Sequence, residues 1–184
     1  MNEKKAALRR ELLTRAKSMP AAEKQASDRA ILTRVAASEA YRDAGTVFCF
    51  VGRGEEIDTR PLLERILSDG KRLCVPLCAG AGEMEARQIA ELAQLRPGRY
   101  GILEPPLSTP KIEPGAIDLS VIPCVGAARD GRRLGRGGGY YDRFLTGFSG
   151  KALLLCRGML LREDIPREAH DVVIPDLITD GMMK

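Results

Sequence analysis

Between residues 4 and 19 the apolar positions Leu8, Leu12, Leu13 and Ala16 recur at helical spacing, and Pro20 stops the pattern or opens the next helix. A second helix is expected over 20 to 37, PAAEKQASDRAILTRVAA, with Ile31, Leu32 and Val35 on its apolar face. The pattern then changes. TVFCFV (46–51), RLCVPL (72–77), DLSVIP (118–123), ALLLC (152–156) and DVVIP (171–175) are short, continuous runs rich in β-formers, as expected of strands buried on both faces. TRPLLERILSDG (59–70) reads as a helix, with Pro61 near its start and Gly70 just past its end. MEARQI (84–89) reads as an extra strand. The segment from Leu95 to Gly115 carries Pro97, Pro105, Pro106, Pro110 and Pro114 and reads as a long surface connection. Strands alternating with helices predict an α/β fold: a three-layer α/β/α body with a largely parallel central sheet, preceded by two N-terminal helices. The 184 residues show no internal repeat and suit a single domain, 1–184.

Composition narrows the class. Hydrophobic residues at 44% and charged residues at 29% exclude disordered and collagen-like chains. The apolar runs fall far short of the roughly 20 residues needed to cross a bilayer. The basic start, MNEKKAALRRELLTR, carries Glu3 and Glu11 and no apolar stretch, so a cytoplasmic protein without membrane partners is expected. The net charge of +4 is too mild to imply nucleic acid. The cations cluster, however, in residues 4 to 17 and 129 to 143, which suits a small polyanion. The five cysteines Cys49, Cys74, Cys78, Cys124 and Cys156 are an odd number and argue against a disulfide framework. With His170 the only histidine, Cys74 and Cys78 lack the spacing of a closed zinc site.

The most informative stretch is GRRLGRGGGYYDRFL, residues 131–145, between a strand ending near Pro123 and a helix expected from Tyr140. Gly135, Gly137, Gly138 and Gly139 strip the loop of side chains, so a ligand can approach its main chain closely. A helix N-terminus just after it adds oriented donors. Arg132, Arg133, Arg136 and Arg143 surround the loop with guanidinium groups suited to phosphate or carboxylate. The pattern is neither GxxxxGK[ST] nor GxGxxG, because Tyr140 stands where the third glycine belongs. A solvated turn is the alternative, but so many glycines are entropically costly without a ligand or close packing. Asp142 is open between a helix-dipole charge and a magnesium ligand.

The run Arg133-Leu134-Gly135-Arg136-Gly137-Gly138-Gly139-Tyr140-Tyr141-Asp142 closely resembles the signature of the 5-formyltetrahydrofolate cyclo-ligase family. Lys5-x-x-Leu8-Arg9, Glu56-Ile57-Asp58-Thr59 and Ile165-Pro166 … His170-Asp171 … Ile178-Thr179 follow that family's order. The resemblance implies a fold like the ribose-5-phosphate isomerase and CoA-transferase group. It also implies conversion of 5-formyltetrahydrofolate to 5,10-methenyltetrahydrofolate with ATP and magnesium, releasing ADP and phosphate. ATP contacts are implied at Lys5, Arg9, Arg133, Leu134, Gly135, Arg136, Gly137, Gly138, Gly139, Tyr140, Tyr141 and Asp142. Folate contacts are implied at Val51, Glu56 and Arg136 to Tyr140, with Arg136 catalytic and Asp142 and Asp171 holding the metal. A monomer is expected.

The residues themselves support these assignments unevenly. Lys5 and Arg9 are an i, i+4 pair on one helix face, where a merely solvated basic face is the usual outcome. Glu56 follows the 46–51 strand, in the region where α/β folds place ligands; a helix-start charge is its alternative, and Glu55 is open to the same roles. Physics alone makes His170 a surface or capping residue. The proposed chemistry activates the formyl oxygen by phosphorylation, after which the folate N10 attacks the same carbon.

The chain departs from the family pattern at Pro123-Cys124-Val125-Gly126-Ala127-Ala128, which stands for P-G-[VL]-A-F-D, and at Arg157 and Leu160, which stand for Phe and Gln. Positions 127 and 128 are expected near the ligand pocket. Their change motivates an alternative, a non-catalytic folate- or nucleotide-binding regulatory homologue. RNA binding through Lys4, Lys5, Arg9 and Arg10 is a weaker reading.

Overall fold

The computed structural model describes residues 3–181. Two helices lead, α1 (Glu3–Ser18) and α2 (Ala21–Ala37), where the apolar spacing predicts them. A short α3 (Glu39–Asp43) follows, capped by Ser38, whose hydroxyl accepts the Tyr41 N–H at 3.2 Å. Next come β1 (Thr46–Cys49), α4 (Arg60–Ser68), β2 (Arg72–Gly80) and β3 (Glu83–Ile89). Three two-residue strands occupy the proline-rich connection: β4 (Arg96–Pro97), β5 (Leu103–Glu104) and β6 (Lys111–Ile112). The chain continues through β7 (Leu119–Pro123), β8 (Gly126–Ala128), β9 (Arg133–Leu134), α5 (Tyr140–Thr146), β10 (Lys151–Leu155), β11 (Leu161–Arg162) and β12 (Leu177–Ile178).

Seven strands form the main sheet in the order β12-β10-β7-β1-β2-β3-β6. The pairs from β12 to β2 are all parallel, whereas β3 pairs antiparallel with both β2 and β6. Alternate residues serve opposite faces, as strand geometry requires. Phe48, Cys74, Ile122 and Leu154 pack with Leu12 of α1 and Phe144 of α5. Their neighbours Val47, Leu73, Val121 and Leu153 pack with Ile31 and Val35 of α2 and Leu62 and Ile66 of α4. Both faces are dry, which explains why the strands read as unbroken apolar runs.

Three expectations need correction. DVVIP (171–175) is not a strand; pairing with β10 begins only at Leu177. Asp171 spends its carboxylate on Lys5 and the Glu168 N–H, Ile174 donates its N–H to Gly131 O, and Pro175 has no N–H to give. The proline-rich connection is tied down rather than merely draped, since β6 extends the main sheet and Glu104 is buried. The glycine segment does not follow β7 directly, because the hairpin β8–β9 intervenes and pairs with β11 in a separate three-stranded sheet. Ala127 and Ala128 lie in that hairpin, fully buried.

Candidate active site

The site starts with the first helix. Lys5, Leu12 and Ala16 are buried on one face of α1, and half-buried Arg9 shares it. Leu12 anchors this face in the core, so the two cations are carried to the seam between α1 and the sheet. Lys5 Nζ donates to Asp171 Oδ2 at 2.5 Å and to Glu168 Oε2 at 2.8 Å. Arg9 Nε donates to the Gly135 carbonyl at 2.7 Å. One helix thus holds both the glycine loop and the segment before β12.

The loop itself spans Gly135 to Gly139, from the end of β9 to the start of α5. Gly137 has φ +97°, and a Cβ there would lie 3.4 Å from the Arg9 guanidinium carbon, so the backbone conformation and the packed cation together favour glycine. The helix that follows has only seven residues. Positive charge at the loop therefore comes mainly from guanidinium groups rather than from a helix dipole. Arg133 is buried, donates from Nη2 to Asp142 Oδ1 at 2.8 Å, and leaves Nε without a partner among the described residues. Asp142 Oδ1 also accepts the Val172 N–H at 3.2 Å. Arg136 Nε donates to Glu56 Oε1 at 2.7 Å, and Glu56 Oε2 accepts the Arg53 N–H at 3.1 Å.

These groups border a cavity of about 500 Å³. Its floor is made at and beyond the C-terminal ends of three parallel strands: Phe50 and Val51 after β1, Pro76 and Cys78 in β2, and Pro123 to Val125 at and after β7. That is where open α/β sheets bind ligands. Lys5, Arg9 and the glycine loop close one side, and Glu168, His170 and Asp171 lie with them. At the rim Tyr140 OH stands 3.3 Å from Tyr100 OH and donates to Gly80 O at 3.2 Å. A smaller cavity of about 290 Å³ shares Gly137 to Gly139, Asp142 and His170.

Burial and pairing set the ionisation. Burial opposes the charge on Lys5, but hydrogen bonds to Asp171 and Glu168 outweigh it and hold the ammonium above the ordinary lysine value. Burial likewise pushes Asp171 up, and Lys5 and the Glu168 N–H more than reverse this, leaving the carboxyl below its usual range. Lys5 also lowers Glu168. Burial, with help from Glu104, pushes the Cys78 thiol up to about 12, so it faces the cavity as a neutral thiol.

The sequence pattern of the 5-formyltetrahydrofolate cyclo-ligase family matches residues 1–180. The chain belongs to that family. It is 31% identical to the 5-formyltetrahydrofolate cyclo-ligase of Escherichia coli strain K12 over 142 residues, covering 74% of this chain and 78% of the relative. The cyclo-ligase of Mycolicibacterium smegmatis is 30% identical over 183 residues, 95% of this chain and 93% of that one. Among solved structures, Aquifex aeolicus 5,10-methenyltetrahydrofolate synthetase superposes with a TM-score of 0.85 at 26% identity, over 96% of this chain and 89% of that chain.

In this cyclo-ligase-family chain the residues singled out from sequence converge unequally. Lys5, Arg9, Val51, Glu56 and the run Arg133 to Asp142 all line the larger cavity, and so does Asp171. Arg132 does not; it turns outward to Asp130 and Asp164. Asp171 stands within a tight group with Glu168 and His170, to which Asp142 does not belong. Ala127 and Ala128 are absent from the lining, although Cys124 and Val125 are part of it. Sequence reasoning missed Arg53, Tyr100, Glu104 and Glu168. Of these, only Tyr100 carried a signal, as a lone aromatic in a connection dominated by proline and glycine.

Proposed function

We propose that the larger cavity holds ATP and 5-formyltetrahydrofolate together, with the glycine loop between them. The protein catalyses the ATP-dependent conversion of 5-formyltetrahydrofolate to 5,10-methenyltetrahydrofolate. The observation that carries the reading of the site is the convergence of Lys5, Arg9 and Arg133 on a glycine-rich loop that itself carries Arg136, at strand C-terminal ends. Arg133 adds to it: its buried guanidinium N–H, without a partner among the described residues, is costly, and a phosphate oxygen would satisfy it.

An N-formyl group is a poor electrophile. Transfer of the γ-phosphoryl group to the formyl oxygen breaks the bond to ADP and makes that oxygen part of a good leaving group. The N10 lone pair then attacks the formyl carbon, N10 gives up its proton to water or the departing phosphate, and the carbon–oxygen bond breaks. The chain's task is alignment and neutralisation of charge on the moving phosphoryl group. Arg136 faces both substrates and does the second; Glu56, Val51 and Tyr140 position the folate.

Magnesium fits the donors present, because Asp142, Asp171 and Glu168 offer hard carboxylate oxygens beside the phosphate-binding side. Asp171, grouped with Glu168, would hold it, with Asp142, which stands outside that group, as the second proposed ligand, and it would supply charge compensation to the triphosphate. The layering as α/β/α, kinship with the ribose-5-phosphate isomerase and CoA-transferase group, and a single monomeric, cytoplasmic domain complete the reading. Among the described residues no helix is long and apolar enough to cross a membrane. The regulatory alternative loses its ground, since the small side chains that suggested it sit in the core rather than in the cavity wall.

The test couples ADP release to the absorbance of the methenyl product, with wild type and Arg136→Ala compared at saturating magnesium. Turnover is expected in the wild type, with kcat lower by about 10²–10³ in the variant, the usual effect of removing one donor aimed at developing charge. Folded wild-type protein without folate-dependent ADP release would overturn the reading.

A further inference from the structure

The most deeply buried arginine among the described residues lies outside the cavity. Arg157, just after β10, is 2% exposed. Its Nε donates to Asp28 Oδ1 at 2.8 Å and its Nη2 to Asp28 Oδ2 at 3.0 Å, a two-pronged pair with a carboxylate on α2. The remaining donors reach the loop between β1 and α4. Nη1 donates to the Glu55 carbonyl at 2.8 Å and Nη2 to the Glu56 carbonyl at 3.1 Å. Asp28 Oδ2 holds the same loop from the other side by accepting the Asp58 N–H at 3.0 Å. Consecutive carbonyls and the next amide but one are thereby fixed by a single ion pair.

This loop needs fixing. Its backbone closes so tightly that a Cβ on Gly52 would lie 1.9 Å from Ile57 O. Its product is the placement of one carboxylate, Glu56, which lines the cavity and pairs with Arg136. A buried ion pair is a poor source of stability, because the desolvation of two charges offsets most of their attraction. Its consequence lies in geometry instead: a planar fork with fixed donor directions sets where each acceptor must be.

We infer that Arg157, braced by Asp28, is a positioning residue for the folate side of the reaction, acting through the Glu55–Glu56 backbone on the Glu56 carboxylate. This rests on the reading of Glu56 as a folate contact. It makes the Arg157–Asp28 pair a determinant of folate affinity at a distance from the cavity, without effect on the ATP side, which is built from α1 and the glycine loop.

The experiment measures KM for 5-formyltetrahydrofolate and for ATP separately. The variants are Arg157→Lys, the paired variant Arg157→Met with Asp28→Asn, Glu56→Gln, and the paired variant in the Glu56→Gln background. Arg157→Met alone would strand a buried carboxylate and endanger folding; the pair avoids this. Expected is a folate KM raised about tenfold in the paired variant, the size of one lost hydrogen bond to a charged group. Arg157→Lys should rescue it in part, ATP KM should stay within about twofold, and the effect should vanish once Glu56 is Gln, since coupled residues are not additive. An unchanged folate KM in folded paired variant, or equal rises in both KM values, overturns the inference. If Glu56→Gln itself leaves the folate KM unchanged, the reading of Glu56 fails, and the inference that rests on it falls with it.

Discussion

Lys5 shows how much one side chain can be asked to do. It neutralises Asp171 and Glu168 at once, from a buried position on the first helix. The two carboxylates, held below their ordinary values, add stability that is present above about pH 4 and is lost as pH falls through their folded-state values. The ammonium, held above its ordinary value, adds stability that is present up to about pH 10 and is lost as pH rises through its folded-state value. Denaturant titrations of wild type and Lys5→Met should therefore differ most between about pH 5 and 9, and the gap should narrow at pH 3. A gap of the same size at pH 3 and pH 7 would show that the ion pairs contribute nothing. Residues of this kind were partly legible. The i, i+4 spacing of Lys5 and Arg9 put them on one face, but nothing local announced their carboxylate and carbonyl partners more than 120 residues away. Arg157 stood out in the sequence only as a departure from the family pattern; a lone arginine after an apolar run gives no hint of a buried partner on α2.

At the level of elements, α5 is the piece whose seating matters most to the site, since it carries Tyr140, Tyr141 and Asp142. Its own length cannot hold it as a helix; isolated helices of fewer than about 12 residues are marginal in water. It is held by Phe144, which stacks on Phe48 of β1 with ring centroids 4.6 Å apart. Phe48→Ala should cost about 3–5 kcal/mol of stability by denaturant unfolding, within the range for a large side chain removed from a packed interior. Some of that loss should reappear as weaker ATP binding, because the glycine loop would lose its downstream support. Unimpaired binding of ATP in that variant would mean the loop is held by Arg9 and Arg143 alone. The strands were readable because burial on both faces makes their runs continuous, and the leading helices because their apolar stripe repeats. The hairpin β8–β9 and the two-residue strands were not, for two or three residues carry no period and are placed only by their partners.

For the whole molecule, the site is a junction of distant parts: α1, three strand ends, the glycine loop and the segment before β12. Ligands that bind such a junction act on the global folding equilibrium. At a concentration 100 times its dissociation constant, 5-formyltetrahydrofolate should add about 2.7 kcal/mol to stability. That should raise the unfolding temperature by roughly 5–10 °C for a chain of this size. No rise with either substrate would contradict a preformed common cavity. What the sequence conveyed at this scale was the parallel order of a sheet with its chemistry at one end; which ends of the chain meet there only the packed molecule shows.

The contact between Lys5 and the Glu168–Asp171 segment joins positions 163 and 166 residues apart. Closing a loop of that length costs entropy before the contact repays it, so on refolding from denaturant this edge of the cleft is expected to close after the sheet it borders. Competence for substrate should then lag behind the recovery of the strands.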